Sequence, residues 1–200
     1  MAENGAPRIR LGMVGGGTGA FIGYVHRVAA RIDGDYELVA GALSSRSEVA
    51  IESGRNVGLA EDRIYTSYEE MAARESARKD GIQAVSIVTP NHMHYGPAKA
   101  FLEAGIHVIC DKPITSTLED ARALAAIRPK KGAKFLLTHN YTGYPLVRQA
   151  RELVKSGALG KIRVVQVEYP QDWLTNAADP GNKQASWRTC LLYTSPSPRD

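Results

Sequence analysis

The sequence of 200 residues predicts an α/β fold, a doubly wound parallel sheet followed by the start of a truncated α+β sheet domain. Short apolar runs alternate with segments whose apolar residues recur at helical spacing, which is typical of repeated strand–helix units. Residues 81–88 are apolar almost throughout, as expected of a strand that helices cover on both faces. Residues 161–169 instead alternate apolar and polar side chains, the pattern of a half-buried strand. We therefore expect a first domain over residues 8–140, the beginning of a second over 141–189, and a non-native or disordered tail over 190–200.

The first strand–helix unit contains a dense glycine run. Residues 9–14 read as a short buried strand, Gly15-Gly-Gly-Thr-Gly19 follows, and apolar residues at helical spacing begin at Phe21. A G-x-G motif between a strand and a helix is typical of dinucleotide binding, because glycine leaves room for a pyrophosphate that the first N–H groups of the helix can contact. The spacing is unusual, since Gly23 comes later than the G-x-G-x-x-G pattern requires, and a plain strand-to-helix turn is the alternative.

The remaining elements of the first domain carry local start and stop signals. Ser67 and Thr117 open patterns typical of helix N-caps, and Gly105 follows the last residue of a predicted helix, where glycine is typical. The predicted strands span residues 36–43, 81–88, 106–110 and 134–138, with a short segment at 63–66. The predicted helices after the first include residues 49–53, 67–78, 97–104, 117–127 and 146–156.

The end of the second predicted strand bears on the choice between NAD and NADP. In a dinucleotide-binding unit, an acidic residue at this place accepts a hydrogen bond from the 2′-hydroxyl of NAD, whereas arginine and hydroxyl groups suit the 2′-phosphate of NADP. Here Leu43 and Ser44 stand at this place, and Ser45 and Arg46 follow directly. They favour NADP slightly over NAD as the cofactor. The alternative is that the two serines only cap the next helix.

Composition and charge exclude several classes of function. The net charge of +4 is scattered over the helices without a basic stripe and interleaved aromatic residues, so we expect no nucleic-acid partner. The two cysteines, Cys110 and Cys190, form neither a disulfide framework nor a metal-ligand spacing. Whole elements separate His92, His107 and His139, so we expect no metal. We also expect no membrane partner and a cytoplasmic location, because the sequence shows neither a bilayer-spanning run nor the regions of a signal peptide.

Four stretches together resemble one family of enzymes. They are the glycine turn followed by His26, then Val-Thr-Pro-Asn-His-Met-His at 88–94, Ala-Gly-Ile-His-Val-Ile-Cys-Asp-Lys-Pro at 104–113, and Ser-Gly-Ala-Leu-Gly-Lys at 156–161. In this order they resemble the Gfo/Idh/MocA oxidoreductases, which include glucose-fructose oxidoreductase and inositol dehydrogenase. The resemblance covers about residues 8–188. It implies a Rossmann domain before a larger, mostly antiparallel sheet domain, with the active site between them.

The resemblance also implies roles for individual residues. It places a cofactor pyrophosphate on Gly15, Gly17, Thr18, Gly19, Ala20, Phe21 and Ile22. It places the nicotinamide ribose and ring along Thr89, Pro90, Asn91, His94, Asp111 and Lys112, where Asp111-Lys112-Pro113 resembles the family's Glu-Lys-Pro with Asp in place of Glu. The residues that would approach the substrate are Tyr141, Tyr144 and Trp173, although tyrosines are also ordinary packing residues.

Lys112 is the predicted catalytic residue. When a hydride leaves a carbinol carbon, the hydroxyl group loses a proton, so a positive group near the oxygen stabilises the developing alkoxide. A lysine at the end of a buried strand can do this, or can tune a neighbouring base. The alternative is a solvated charge before a proline turn.

The end of the chain departs from the family's pattern. The family's catalytic Asp and His come from a segment after the region of Trp187, and this chain has no such segment. Residues 190–200 carry Ser-Pro repeats, which cannot continue a sheet. We expect residues after Tyr169 to pack poorly, with apolar surface left without partners, and the chain to be a fragment with little or no turnover.

Two functions of different classes follow from these observations. The first is an NAD(P)-dependent oxidoreductase that transfers a hydride between a nicotinamide cofactor and a hydroxyl or carbonyl group of a sugar, cyclitol or related polyol, and whose full-length form is expected to be a homo-oligomer. The second is a non-catalytic regulatory or sensor protein that binds a dinucleotide on the same scaffold. Lys112 favours the enzyme, because a sensor needs no lysine that faces a hydroxyl group.

Overall fold

The structure, a computed structural model, describes residues 5–170. The chain divides into two compact units, one up to Arg148 and one from Gln149 onwards. The strands are β1 Ile9–Gly15, β2 Tyr36–Ala42, β3 Ala84–Val88, β4 His107–Cys110 and β5 Phe135–Leu137. The α-helices are α1 Phe21–Ile32, α2 Ser47–Asn56, α3 Tyr68–Ala77, α4 Tyr95–Ala104, α5 Leu118–Ala126 and α6 Pro145–Lys155. Short 3-10 helices lie at Glu61–Arg63, Asn91–Met93, Lys130–Gly132 and Asn140–Gly143.

The five strands form one parallel sheet in the order β2-β1-β3-β4-β5. At the free edge of β2, Gly41 forms a single parallel bridge to Ile64, and its carbonyl oxygen accepts from the N–H of Tyr65 at 2.8 Å. If this bridge is taken as a sixth strand, the order is that of a Rossmann fold, whose strand order reverses between β1 and β3. The predicted doubly wound α/β fold is confirmed, with the predicted segment at 63–66 reduced to one bridge.

The core of the first unit lies against the central strands. Every residue of β3 is buried, which agrees with its continuous apolar sequence and with a strand covered on both faces. Phe101 and Ala98 of α4 pack in the same cluster as Val85 and Val108, and none of the four has exposed surface. Because the sheet is fixed by this packing, the loops that follow its strands are held at defined positions along one side of it.

The helix boundaries confirm the local signals in the sequence. The hydroxyl of Ser67 accepts from the N–H of Glu70 at 3.1 Å, and the hydroxyl of Thr117 accepts from the N–H of Asp120 at 3.1 Å. Gly105 ends α4 in the left-handed region, with a φ of 82°. The side chain of Glu70 pairs with Arg74 one turn along the helix, so the capping box at Ser67 is formed on one side only.

A buried ionic network anchors the bridged segment beside β2. The fully buried carboxylate of Glu75 on α3 accepts two hydrogen bonds from Arg63, one from the hydroxyl of Tyr65 and one from the N–H of Ile82. Burial and the hydrogen bond to Glu75 raise the pKa of Tyr65 to about 12. The network satisfies every buried polar group that it contains, as such groups require. It ties the segment after Glu61–Arg63 to α3 and to the start of β3.

The predicted strand at 161–169 is wrong. The structure forms no strand over residues 161–170, and the apolar side chains of this stretch are exposed, with Val164 82% and Val167 83% accessible. An alternating pattern produces a strand only where a neighbouring strand supplies hydrogen-bond partners, and the described part of the chain supplies none here. The predictions for residues after Pro170, including Trp173 and the tail, lie outside the described residues. Among residues 5–170, no helix is long and apolar enough to cross a bilayer.

Candidate functional site

The glycine turn between β1 and α1 is tied to two neighbouring elements. The N–H of Gly17 donates to the carbonyl oxygen of Leu43 at 3.1 Å, and the N–H of Thr18 donates to the hydroxyl of Ser53 at 3.0 Å. The hydroxyls of Thr18 and Ser53 also lie 3.2 Å apart. Ser53 on α2 is buried and was not predicted, because nothing in the sequence around it marks contact with a turn 35 residues earlier. The turn is therefore braced from the end of β2 and from α2.

Close packing between the turn and α1 explains the unusual glycine spacing. Gly16 has a φ of 74°, in the region that favours glycine. A Cβ atom added to Gly23 would overlap Gly16, and would lie 2.6 Å from its carbonyl oxygen. Gly23 thus does what the third glycine of G-x-G-x-x-G does in other dinucleotide-binding units, which is to let the helix approach the turn. The approach occurs in the first turn of α1, which is why the glycine comes later in the sequence.

The first turn of α1 is free to bind an anion. Its N-cap residue, Ala20, offers no side-chain hydrogen bond, and the first turn contains no acidic residue. The N–H groups at Phe21 and Ile22 belong to the group of helix donors that have no partner within the helix. These donors, together with the positive end of the helix dipole, suit a pyrophosphate.

One cavity of about 650 Å³ lies on the β2 side of the glycine turn. Its lining brings together most of the predicted pyrophosphate and ribose residues: Gly15, Gly17, Thr18, Ala20, Ser44, Ser45, Arg46, Thr89 and Pro90. The hydroxyl of Ser44 accepts from the N–H of Arg46 at 3.1 Å, so the tip after β2 is ordered by a local turn. The lining also includes residues that the sequence analysis missed, from the segment after the Ile64 bridge: Thr66, Ser67, Tyr68 and Glu69.

A second cavity of about 790 Å³ lies on the β4–β5 side of α1. The predicted residues Phe21, Ile22, Asp111, Lys112 and Tyr141 line it. Apolar side chains of three strands also belong to its lining, together with the loop that follows β5: Leu11, Ile109, Leu137, Thr138, His139, Asn140, Thr142 and Gly143. The two linings share no residue, but Ala20 of the first is followed directly in the sequence by Phe21 and Ile22 of the second. The start of α1 therefore adjoins both the cavity at the glycine turn and the cavity that Lys112 lines.

Asp111, at the end of β4, is held by a chain of polar side chains. It accepts a hydrogen bond from the hydroxyl of Thr138 at 2.9 Å, and His26 Nε2 lies 3.9 Å from the same carboxylate oxygen. The other ring nitrogen of His26 is 2.8 Å from the buried hydroxyl of Ser86. Burial on its own would raise the pKa of Asp111, but the interactions with the His26 ring and the Thr138 hydroxyl outweigh it and lower that pKa. The carboxylate that precedes Lys112 is thus fixed and ionised.

The lowered pKa predicts how Asp111 contributes to stability. A carboxyl whose pKa is lower in the folded state contributes stability above its unfolded pKa, and this contribution is lost as the pH falls through the folded value. We expect Asp111→Asn to lower the urea midpoint of unfolding at about pH 7. The difference in midpoint from the unaltered chain should become smaller as the pH falls below 3.8, the ordinary pKa of an aspartate. Asp33→Asn, at an exposed carboxylate with no side-chain hydrogen bond among the described residues, is the control. An Asp111→Asn effect that is equal at neutral and acid pH would contradict the expectation.

The other predicted residues lie outside the two linings. His94 is fully buried, and its ring nitrogens lie 2.6 Å from the carbonyl oxygen of Pro113 and 3.1 Å from that of Thr89. It thereby joins the loop after β3 to the loop after β4, a contact 19 residues apart that sequence reasoning did not find. The rings of Tyr141 and Tyr144 pack at 5.5 Å between centroids. Neither cavity is lined by Tyr144 or by the remaining predicted residues, Gly19 and Asn91.

Comparison with known proteins identifies the family. Residues 9–139 match the family described as GFO_IDH_MocA, an oxidoreductase family with an NAD-binding Rossmann fold. An oxidoreductase from Sinorhizobium meliloti is similar in structure, with a TM-score of 0.80 and 63% identity over 85% of this chain and 47% of that one. An inositol dehydrogenase homologue from Azotobacter vinelandii, complexed with NADH and myo-inositol, has a TM-score of 0.74 and 43% identity over 79% of this chain and 42% of that one.

A curated relative agrees with these structures. The chain is 38% identical over 193 residues to the oxidoreductase YfiI of Bacillus subtilis, a match that covers 94% of this chain and 49% of the relative. The chain thus spans about half the length of the proteins that it matches. The family match covers the parallel sheet, the glycine turn and Lys112 together. The chain therefore belongs to the Gfo/Idh/MocA oxidoreductase family, and its first unit has that family's NAD-binding Rossmann fold.

Proposed function

We propose that the protein is an NAD(P)-dependent oxidoreductase that transfers a hydride between a nicotinamide cofactor and a hydroxyl or carbonyl group of a sugar, cyclitol or related polyol. The observation that carries the proposal is the position of Lys112, which follows the anchored carboxylate of Asp111 and lines the cavity beside the first turn of α1. The glycine turn lines the other cavity, and the start of α1 adjoins both, with Ala20 in one lining and Phe21 in the other. The relative complexed with myo-inositol supports a polyol substrate.

The described residues fit a dinucleotide in charge and shape. The first turn of α1 offers uncapped N–H groups to a pyrophosphate, and the glycine turn before it lines a cavity. When bound, the nicotinamide supplies or accepts the hydride. Lys112 then stabilises negative charge on the substrate oxygen, and the fixed Asp111 keeps the end of β4 in place beneath it. We propose that Tyr141 and Tyr144 contact the substrate.

The cofactor preference rests on the tip after β2. Ser44, Ser45 and Arg46 line the first cavity, and their hydroxyl and guanidinium groups are of the kind that suits a 2′-phosphate. They support NADP over NAD. The relative from Azotobacter vinelandii was solved with NADH, so both reduced cofactors belong in any test.

Reduction of cofactor by a polyol tests the proposed function. We expect the chain to bind NADPH saturably, more tightly than NADH, as followed by nicotinamide fluorescence, with little or no turnover of its own. A full-length protein that contains this chain is expected to reduce NADP⁺ in the presence of a polyol such as myo-inositol. Lys112→Met keeps the length of the side chain and removes its charge. In the full-length protein it is expected to lower the rate of NADP⁺ reduction about 100-fold while cofactor binding persists.

Each other outcome has a distinct meaning. Saturable cofactor binding by the full-length protein, without reduction for any polyol in a broad panel, would favour the non-catalytic sensor. Absence of binding to either cofactor by the folded chain would contradict both functions, because both require the dinucleotide site.

A further inference from the structure

Arg27 reaches the glycine turn from beneath. It lies on α1, and its Nη1 donates to the carbonyl oxygen of Gly16 at 2.7 Å. The same nitrogen is 3.5 Å from the sulfur of the buried Met13. Arg27 lines neither cavity, so it is not a residue that the dinucleotide-binding pattern or the shape of the pockets would select. In sequence it is one of several scattered helical cations.

No carboxylate within residues 5–170 balances the positive charge of Arg27. Among residues 5–170 no acidic side chain lies within salt-bridge distance of it. Arg63 and Arg78 differ, since Arg63 pairs with Glu75 and Arg78 pairs with Asp62 and Asp80. The half-buried Arg10 is like Arg27 in donating to a backbone carbonyl, that of Gly81, but it lies away from the glycine turn.

The environment of Arg27 is unfavourable for an isolated cation. Burial and the neighbouring charge of Arg31 both lower the pKa of Arg27. A charge that is partly removed from water and has no counter-ion is costly, and it favours an anion nearby.

The turn that Arg27 contacts is the place where the proposed function puts an anion. Gly16 lines the first cavity, between the end of β1 and the first turn of α1. A pyrophosphate there brings two negative charges close to a guanidinium that is one peptide group below. The donated hydrogen bond also offsets the negative end of the Gly16 carbonyl dipole, which otherwise opposes an approaching phosphate.

We propose that Arg27 is a positioning residue for the dinucleotide, which holds the Gly16 carbonyl and supplies the counter-charge of the bound pyrophosphate. The inference rests on the proposed dinucleotide site and adds to it a residue outside the cavity lining. If the inference is right, Arg27 contributes to binding through the phosphate charge of the ligand and not through its nucleoside or its nicotinamide.

The test compares ligands that differ in phosphate content. Arg27→Gln keeps a donor for the Gly16 carbonyl and removes the charge, Arg27→Lys restores the charge, and Arg31→Gln removes the same charge from an exposed position of the same helix. Dissociation constants for NADPH, ADP and adenosine are measured by competition and calorimetry at low and high salt, with thermal unfolding of each variant.

We expect Arg27→Gln to weaken the binding of ADP and NADPH about tenfold at low salt and less at high salt, because salt screens an interaction between charges. The affinity for adenosine, which carries no phosphate, should not change. Arg27→Lys is expected to recover most of the affinity, and Arg31→Gln to stay close to the unaltered chain. If Arg27→Gln weakens the binding of adenosine and ADP equally, or leaves the affinity for ADP unchanged, the inference is overturned and the proposed function still stands. An unaltered chain that binds none of the three ligands would overturn the proposed function and the inference with it.

Discussion

Replacing Gly17 by aspartate is expected to abolish dinucleotide binding in a chain that still folds. A Cβ atom at Gly17 would lie 2.7 Å from the carbonyl oxygen of Leu43 and 2.7 Å from the hydroxyl of Ser53, so the turn must shift away from both braces. The new carboxylate would also stand beside the proposed pyrophosphate position, where its charge repels the ligand. Both effects act on the same step, and the loss of affinity should exceed 100-fold by the size of such charge interactions, about 3 kcal/mol.

The measurement is a titration with NADPH and NADH followed by nicotinamide fluorescence. Gly34→Asp is the matched control, because Gly34 lies in the turn after α1 with no atom within 4 Å of an added Cβ, and aspartate tolerates its positive φ better than most residues. Gly34→Asp should bind like the unaltered chain. Retained binding in Gly17→Asp would mean that the glycine run is an ordinary strand-to-helix turn.

Replacing Glu75 by glutamine is expected to have the largest effect on stability. Glu75 is an acceptor for Arg63, Tyr65 and the N–H of Ile82, and its side chain has no exposed surface. A glutamine would turn an NH₂ group towards donors and leave the buried guanidinium of Arg63 without its counter-charge. Breaking one side of a buried pair costs about 3–5 kcal/mol, a large share of the stability of a small domain.

Urea unfolding followed by circular dichroism measures this effect. The control is Glu61→Gln, which breaks the exposed pair between Arg55 and Glu61, in which both side chains are more than half accessible. We expect no measurable change in the midpoint for Glu61→Gln, because solvent screens such a pair. Midpoints that are the same for the two variants would show that the Glu75 network does not support the fold.

Local patterns predicted most of the first unit. The strands follow from runs of apolar residues and the helices from caps such as Ser67, Thr117 and Gly105, because each signal lies within a few residues of the structure that it determines. The glycine turn was recognisable for the same reason. Its unusual spacing was explained only by the contact between Gly16 and Gly23 in three dimensions.

Contacts between distant residues could not be predicted in this way. Ser53 braces a turn 35 residues away, and Asp111 meets His26 and Thr138, which come from α1 and from the loop after β5. No local pattern marks either residue, since hydroxyl and imidazole side chains are common in positions without such partners. The prediction of a strand at 161–169 was wrong for the same physical reason. Its alternating pattern is local, but a strand forms only beside another strand that accepts and donates its hydrogen bonds.

The single bridge beside β2 also affects the tendency of the sheet edges to pair with strands of other chains. An exposed outer strand offers a row of unpaired N–H and C=O groups to which another chain can add, which is a common route to aggregation. Here the bridged segment at Ile64, anchored through Arg63 and Glu75, covers part of β2, and the opposite outer strand, β5, has only 3 residues. The described sheet therefore presents a short template at either border, which disfavours growth by strand addition.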